Sequence, residues 1–234
     1  MKTLWDKFSP DEYVKDNYAT VHDEDKEIIH KLVSFYSSLS KINLALEIGV
    51  GPNLYPVMAM LPFIEEIECI DFSTPNLEYL KGQLERPDDR WYRFWELYRS
   101  LSRKYDIDLV NNLKRKVEMK QGSIYELECN KYDLASMFFC AESVTKKQKQ
   151  FTLACSRFIK SVKPGGFLVA AFMENSQGYN VGGVEFPAYP VDAKLIIRIF
   201  APETKNLLVT RIPLAKKSLR PGYTGMVFLT ASIA

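Results

Sequence analysis

Histidine and cysteine are scarce in this chain: two histidines, His22 and His30, and four cysteines, Cys69, Cys129, Cys140 and Cys155, occur in 234 residues. The cysteines never form a Cys-x-x-Cys pair, which argues against a zinc ribbon and a dithiol redox motif and leaves buried free thiols as the reading. With so few ligands clustered, no metal site is expected. His30 lies in an apolar-periodic stretch and reads as a packing residue, whereas His22 is a weak candidate for a base. An excess of one charge is missing too: 31 basic residues face 29 acidic ones, a net charge of +2. No field therefore favours nucleic acid or an anionic membrane, and a small, roughly neutral partner fits better. Long apolar runs are absent, none approaching the ~20 residues of a membrane span, and Met1-Lys2-Thr3-Leu4-Trp5-Asp6 lacks the apolar core of a signal peptide. A cytoplasmic monomer or weak dimer is the expectation, with no membrane partner.

What is present is apolar residues in quantity, 47% of the chain, enough for the core of a single domain over 1–234. Neither repeats nor low-complexity segments interrupt it. Ile28, Ile29, Leu32, Val33, Tyr36 and Leu39 recur at helical spacing behind the acidic run Asp23-Glu24-Asp25, whose charges suit a helix N-terminus; helices are expected over 1–40. Leu44 to Ile48, short, apolar and ended by glycine, predicts a central parallel strand. Glu66 to Ile70 predicts a second strand ending at Asp71, after which Thr74-Pro75 supplies a cap and a first-turn proline for a helix running to about Leu84. Residues 83–116 hold the aromatic run Arg90 to Tyr98, too long for an ordinary connection and expected to be a helical insertion. Trp91 and Trp95 in it suit a packed core or a substrate wall equally.

Strands are predicted at Val117–Gln121 and Asp133–Phe139, followed by a helix carrying Phe151, Cys155, Phe158, Ile159 and Val162 on one face and stopped by Lys163-Pro164-Gly165-Gly166. Phe167–Phe172 predicts a fifth strand, Asp192–Phe200 a helix, and Leu207–Ile212 with Gly225–Ser232 an antiparallel pair at the sheet edge. Strands alternating with helices in this order imply the doubly wound α/β class, with a mostly parallel seven-stranded sheet. Ligands in such sheets sit beyond the carboxyl ends of the strands at the switch point, here at Gly49, Asp71 and Cys140.

Gly49 and Gly51 follow the first strand, where a missing side chain lets the backbone turn tightly and approach a ligand. Asp71, about 20 residues on and at the end of the next strand, is placed to accept hydrogen bonds from ribose hydroxyls. Dinucleotide sites put a third glycine or an alanine three residues after Gly51; here that residue is Leu54, and Pro52 offers no backbone donor to a pyrophosphate. S-adenosyl-L-methionine has no phosphate and tolerates both changes.

The ordered motifs Phe8-Ser9-Pro10-Asp11-Glu12-Tyr13 with Tyr18, Glu47-Ile48-Gly49-Val50-Gly51-Pro52-Asn53-Leu54-Tyr55, Asp71-Phe72-Ser73-Thr74-Pro75-Asn76-Leu77 and Lys163 to Val169 span nearly the whole chain. In them the sequence resembles the class I methyltransferases related to nicotinamide, phenylethanolamine and indolethylamine N-methyltransferases. The resemblance implies a Rossmann-like sheet with an N-terminal helical lid and S-adenosyl-L-methionine as methyl donor, S-adenosyl-L-homocysteine being the product. By it, Tyr13 and Tyr18 close over the cofactor and Gly49 and Gly51, within the motif from Glu47 to Tyr55 that includes Asn53, contact its methionine part. Asp71 and Asn76, with Phe72 between them, hold the ribose. Gly122, Ser123 and Ile124 meet adenine, Ala141, Glu142 and Ser143 lie beside the methyl group, and Cys140 before them is a further cofactor contact.

The amine-methylating relatives carry an acidic residue at the end of the fifth strand, where this chain has Phe172. Glu174, Glu142 or Glu185 stand nearby as substitutes, and Tyr179 to Phe186 resembles the family's substrate loop. The expected reaction is N-methylation of a small amine or N-heterocycle, with Glu142, Glu174 and Tyr13 as catalytic candidates and Tyr13, Phe172, Glu174, Tyr179 and Glu185 as substrate contacts. O- or S-methylation of a small metabolite is the close alternative. A cofactor-binding regulatory or scaffold protein is the rival from another class; a pocket plugged by side chains would favour it, and an enclosed polar one the enzyme.

Overall fold

The computed structural model describes residues 3–214 and 220–234. In chain order the elements are α1 (Pro10–Tyr18), α2 (Asp23–Ser37), β1 (Ile42–Ile48), α3 (Tyr55–Met60), β2 (Ile64–Asp71), α4 (Thr74–Glu85), α5 (Asp89–Leu101) and α6 (Leu109–Lys116). They continue as β3 (Val117–Gln121), β4 (Tyr132–Phe138), α7 (Gln148–Lys160), β5 (Val162–Glu174), β6 (Tyr179–Val181), β7 (Val184–Phe186), α8 (Ala193–Phe200), β8 (Thr204–Pro213) and β9 (Gly225–Ile233). The main sheet has seven strands in the order β3-β2-β1-β4-β5-β9-β8. Its first five run parallel, and β9 pairs antiparallel with both β5 and β8. This is the doubly wound, mostly parallel seven-stranded sheet expected from the alternation of elements.

Because side chains alternate across a strand, the sheet has a core on each face. Ala45, Leu134, Val169 and Ala171 pack with α1 to α6, while Leu46, Ile48, Ala135, Met137, Leu168 and Ala170 pack with α7 and α8. The strand order reverses between β1 and its neighbours β2 and β4, so the crevice beyond Ile48 is the switch point where a ligand site is expected.

Three local expectations need correction. The cap of α4 is Ser73, not Thr74: Ser73 stays extended and its hydroxyl accepts from the Asn76 N–H at 3.4 Å, leaving Pro75 in the first turn. The Lys163-to-Gly166 turn lies inside β5, and Val162, expected on the helix, opens that strand opposite Tyr132. The register then jumps to Leu134 opposite Phe167, a bulge that Gly165 permits with φ +77°. Finally, His30 and Cys129 are exposed, His30 because it falls on the solvent side of α2, away from Ile28, Ile29, Leu32 and Val33.

Most of residues 83–116 lies in helices, chiefly α5 and α6. Trp91, Phe94, Trp95 and Tyr98 recur at i, i+3, i+4 and i+7 on α5 and are buried. The Tyr98 hydroxyl donates to the Tyr55 carbonyl at 2.9 Å, and the Lys116 ammonium donates to the carbonyls of Leu61 and Ile64, each at 2.7 Å. The insertion is thus packed on α3 and the start of β2. Trp91 and Trp95 are core residues, behind the cavity walls described next.

Candidate cofactor and acceptor site

At the end of β1 the chain turns through Gly49 and Gly51, with φ of +65° and +56°. A Cβ on Gly49 would lie 2.1 Å from the Cys140 Sγ, so the turn off β1 is made against the turn off β4 and admits no side chain. The Gly49 N–H donates to the Ile70 carbonyl at 2.7 Å, which ties this turn to β2. Phe139, leaving β4, is a non-glycine residue at φ +58°, a costly conformation that sites of function commonly retain.

Asp71 ends β2, and its carboxylate is held from three directions. Oδ2 accepts from the Gly51 N–H at 2.7 Å; Oδ1 accepts from the Ser73 N–H at 2.8 Å and the Asn76 Nδ2 at 3.4 Å. Burial pushes its pKa above the usual carboxylate value, and these donors limit the rise. A carboxylate offers about four lone-pair positions, so capacity remains for a ligand hydroxyl.

These turns form the wall of a cavity of about 280 Å³. Of the residues singled out in the sequence, Tyr13, Tyr18, Gly49, Gly51, Asn53, Asp71, Phe72, Asn76, Gly122, Ser123, Ile124, Cys140 and Tyr179 line it. Among its lining residues, Asn53 Nδ2, Asn76 Oδ1 and Ser143 Oγ are buried without a hydrogen-bond partner among the described residues. Orphaned buried polar atoms are costly unless a ligand or water meets them. Two acceptors, Asp71 and Asn76 Oδ1, stand together to receive a pair of hydroxyls, and the Asn53 amide is a donor suited to a carboxylate. The donor set therefore fits the ribose and amino-acid groups of S-adenosyl-L-methionine, while the apolar wall of Ile48, Val50, Phe138 and Phe139 suits its aromatic and aliphatic parts.

Other expected residues lie off this cavity. Glu47 is buried in β1 beside Ser136 of β4, and burial drives its pKa up to about 8 against the help of Ser136 and the Phe138 N–H. Tyr55 stacks on Phe94 at 5.4 Å and backs Tyr18 at 6.0 Å, one layer behind the wall. Ala141 packs in the α7–α8 core. Phe172 faces the same core, 6.2 Å from Phe151 and 6.1 Å from Phe200, because its place in β5 turns it to that side of the sheet. Glu174 is taken up by Arg211, whose Nε lies 2.7 Å from Oε2, and by the Thr224 hydroxyl at 2.6 Å. Burial opposes its ionisation, but these partners hold its pKa below the usual range. It is a structural ion pair at the β5–β8–β9 junction.

Glu142 is fully buried behind Ser143. One oxygen accepts from the Met173 N–H at 2.8 Å, the other has no partner among the described residues, and burial lifts the pKa to about 7. Glu185 is exposed and lines a second cavity of about 400 Å³, which shares Tyr13, Tyr179 and Arg220 with the first. The N-terminal segment and the β6–β7 hairpin clasp each other above the first cavity: Trp5 and Phe8 each lie 5.1 Å from Phe186, and Phe8 lies 5.4 Å from Tyr13.

Val50 and Pro52 line the cavity as members of the glycine loop, but sequence reasoning missed Trp5, Phe8, Tyr125, Phe138, Phe139, Val144 and Arg220 as cavity residues. Proximity to the end of β4 was a usable signal for Phe138 and Phe139. Arg220 had none, since its guanidinium reaches the Tyr13 hydroxyl across 207 residues of sequence.

The family model described as the NNMT/PNMT/TEMT family matches residues 1–232. Human nicotinamide N-methyltransferase is 21% identical over 214 residues, covering 83% of this chain and 80% of the human protein. The pig nicotinamide N-methyltransferase is 20% identical over 199 residues, covering 76% and 75%. Among solved structures, the N-methyltransferase NodS of Bradyrhizobium japonicum WM9 with S-adenosyl-L-homocysteine superposes with a TM-score of 0.58 at 12% identity, over 96% of this chain and 98% of that one. That likeness speaks to the fold.

Proposed function

The chain belongs to the NNMT/PNMT/TEMT family, and from that premise we propose that it is an S-adenosyl-L-methionine-dependent methyltransferase acting on a nitrogen of a small molecule. The observation that carries this reading is Asp71, fixed by Gly51, Ser73 and Asn76 in the wall of a cavity that also presents three unpartnered polar atoms. A cavity that is not plugged by side chains and carries unpartnered polar atoms in its wall supports an enzyme over a scaffold whose site is filled.

When bound, the cofactor supplies a methyl group already activated on a sulfonium sulfur, so no covalent nucleophile is required of the protein. The chain's own task is to hold, align and keep dry. Asp71 and Asn76 Oδ1 accept from the ribose hydroxyls; Asn53 and the open turn at Gly49 and Gly51 take the amino-acid end. Gly122, Ser123 and Ile124 form the adenine side. Tyr13 and Tyr18 cover the site, and their rings favour positive charge beneath them. Cys140 and Ser143 border the methyl side, with Ser143 Oγ free to orient the acceptor. Glu142, buried one residue behind Ser143 and with a pKa of about 7, lines no part of the cavity, so a proton shed by the acceptor nitrogen after transfer would reach it through Ser143 or a water rather than directly. Glu174 and Phe172 have no part in this assignment.

The test is turnover with isotopically labelled cofactor over a panel of amines, N-heterocycles, phenols and thiols. We expect N-methyl products, and at least about a tenfold rise in cofactor KM for Asp71→Ala, in line with loss of a buried charge-assisted contact. Exclusively O- or S-methyl products would displace the nitrogen reading.

A further inference from the structure

The two cavities meet at a wall built from Tyr13, Tyr179 and Arg220, each of which lines both. The Arg220 guanidinium lies 4.6 Å from the Tyr179 ring centroid and 5.7 Å from that of Tyr13. One of its nitrogens donates to the Tyr13 hydroxyl at 3.0 Å and to the Asn17 Oδ1 at 3.4 Å. Two aromatic faces and these bonds fix both the position and the plane of the cation. The residue is only 8% exposed.

Burial decides how much this charge counts. Asp16, Lys146 and Glu185 also line the second cavity, but they are exposed and screened by water. Asp71, in the first cavity, is engaged by three donors. Glu142 feels the field of Arg220, which works to lower its pKa against burial, yet it lines neither cavity. For a molecule seated against the shared wall, Arg220 is therefore the dominant charge, acting through a medium of low dielectric.

We propose that Arg220 determines acceptor specificity: it selects a methyl acceptor that carries a carboxylate, held against the shared wall. The proposal rests on the methyl-transfer reading above. A carboxylate gains a charge-assisted contact with a guanidinium that is already oriented, whereas an ammonium-bearing acceptor meets like charge in a desolvated site. The same wall thereby favours acceptors whose reacting nitrogen is uncharged at neutral pH.

The experiment uses the full chain saturated with S-adenosyl-L-homocysteine and two probes of equal size, pyridine-3-carboxylate and pyridine-3-carboxamide, titrated by calorimetry. For the unsubstituted protein the carboxylate should bind about tenfold more tightly than the amide, as expected of one charge-assisted contact. Arg220→Gln should abolish that preference and Arg220→Lys should retain part of it, because the lysine keeps the charge without the planar fork. Affinity for S-adenosyl-L-homocysteine is measured for each variant first and the two probes are compared at saturation, because Arg220 also borders the cofactor cavity and holds Tyr13. Equal affinity for the two probes, no binding of either, or a preference that survives Arg220→Gln while S-adenosyl-L-homocysteine still binds overturns this proposal alone. Failure of the unsubstituted protein to bind S-adenosyl-L-homocysteine overturns the methyl-transfer reading together with it, and the first titration separates the two cases.

Discussion

Gly49 concentrates the local constraints of the site in one residue. Its φ of +65° disfavours any side chain, and the neighbouring Cys140 Sγ would lie 2.1 Å from an added Cβ. Gly49→Ala should weaken S-adenosyl-L-homocysteine binding by at least about tenfold through displacement of the turn, and adding Cys140→Ala should recover little, because the Cβ at 140 would still lie 2.6 Å from the added one and the unfavourable φ remains. Full recovery in the double variant would show that crowding alone is at issue. The buried acids make a second, independent prediction. Glu47 has a pKa of about 8 in the fold against an ordinary 4.5, and Asp25 and Glu142 reach about 7 against 3.8 and 4.5, burial being the leading cause in each. Between those values the folded chain keeps protons that the unfolded chain has released, so their effect is a loss of stability as pH rises from about 4.5 towards 8. Glu68 acts in the opposite sense: burial alone would raise its pKa, but Lys120, Tyr132 and Lys131 bring it to about 2, a stabilisation lost only in acid. The melting temperature of Glu47→Gln should therefore fall less between pH 5 and 8 than that of the unsubstituted chain; parallel profiles would refute the assignment. At this scale Gly49, Asp71 and Asn76 were legible because each belongs to a short local pattern at a strand end. Phe172 and Glu174 were misread because sheet face and cross-strand partners, not local sequence, decide what they touch.

Among the elements, α5 shows how an insertion can support a site without entering it. Trp91 is buried 5.6 Å from Tyr18, itself a lining residue of the cavity, and Phe94 stacks on Tyr55 behind it. Trp91→Ala should cost about 3–5 kcal/mol, the usual range for emptying a large aromatic from a core. Denaturant unfolding measures it, and a loss under about 1 kcal/mol would mean that α5 collapses to fill the space. Helices α2, α4, α7 and α8 and the five parallel strands were readable from periodicity and from glycine and proline punctuation, whereas the short α3 was not. The bulge in β5 was not, because Lys163-Pro164-Gly165-Gly166 carries the chemistry of a turn, and only pairing with Tyr132 on one side and Leu134 on the other keeps it within a strand. The β6–β7 hairpin was visible as the segment Tyr179–Phe186, but its packing on Trp5 and Phe8 depends on residues far apart in sequence.

For the whole molecule, the doubly wound order brings the ends of β1, β2 and β4 to one crevice, and the chain's two remote parts, the N-terminal segment and the β6–β7 hairpin, close over it. Among the described residues no helix is long and apolar enough to cross a membrane. The cavity residues Gly49, Gly51 and Asp71 could be read from the sequence, since they belong to contiguous motifs at strand ends. On the proposed acceptor side Tyr13 and Tyr179 were legible from the family's motifs, but Arg220 was not, because only the folded chain brings it to them. The central claim is that this crevice binds S-adenosyl-L-methionine through Asp71, and calorimetric titration with S-adenosyl-L-homocysteine tests it most directly. The account predicts one site per chain for the unsubstituted protein and a loss of at least about tenfold in affinity for Asp71→Ala with the fold intact, as for removal of a buried charge-assisted partner. Absence of binding by the unsubstituted protein, or equal affinity in the variant, would contradict it.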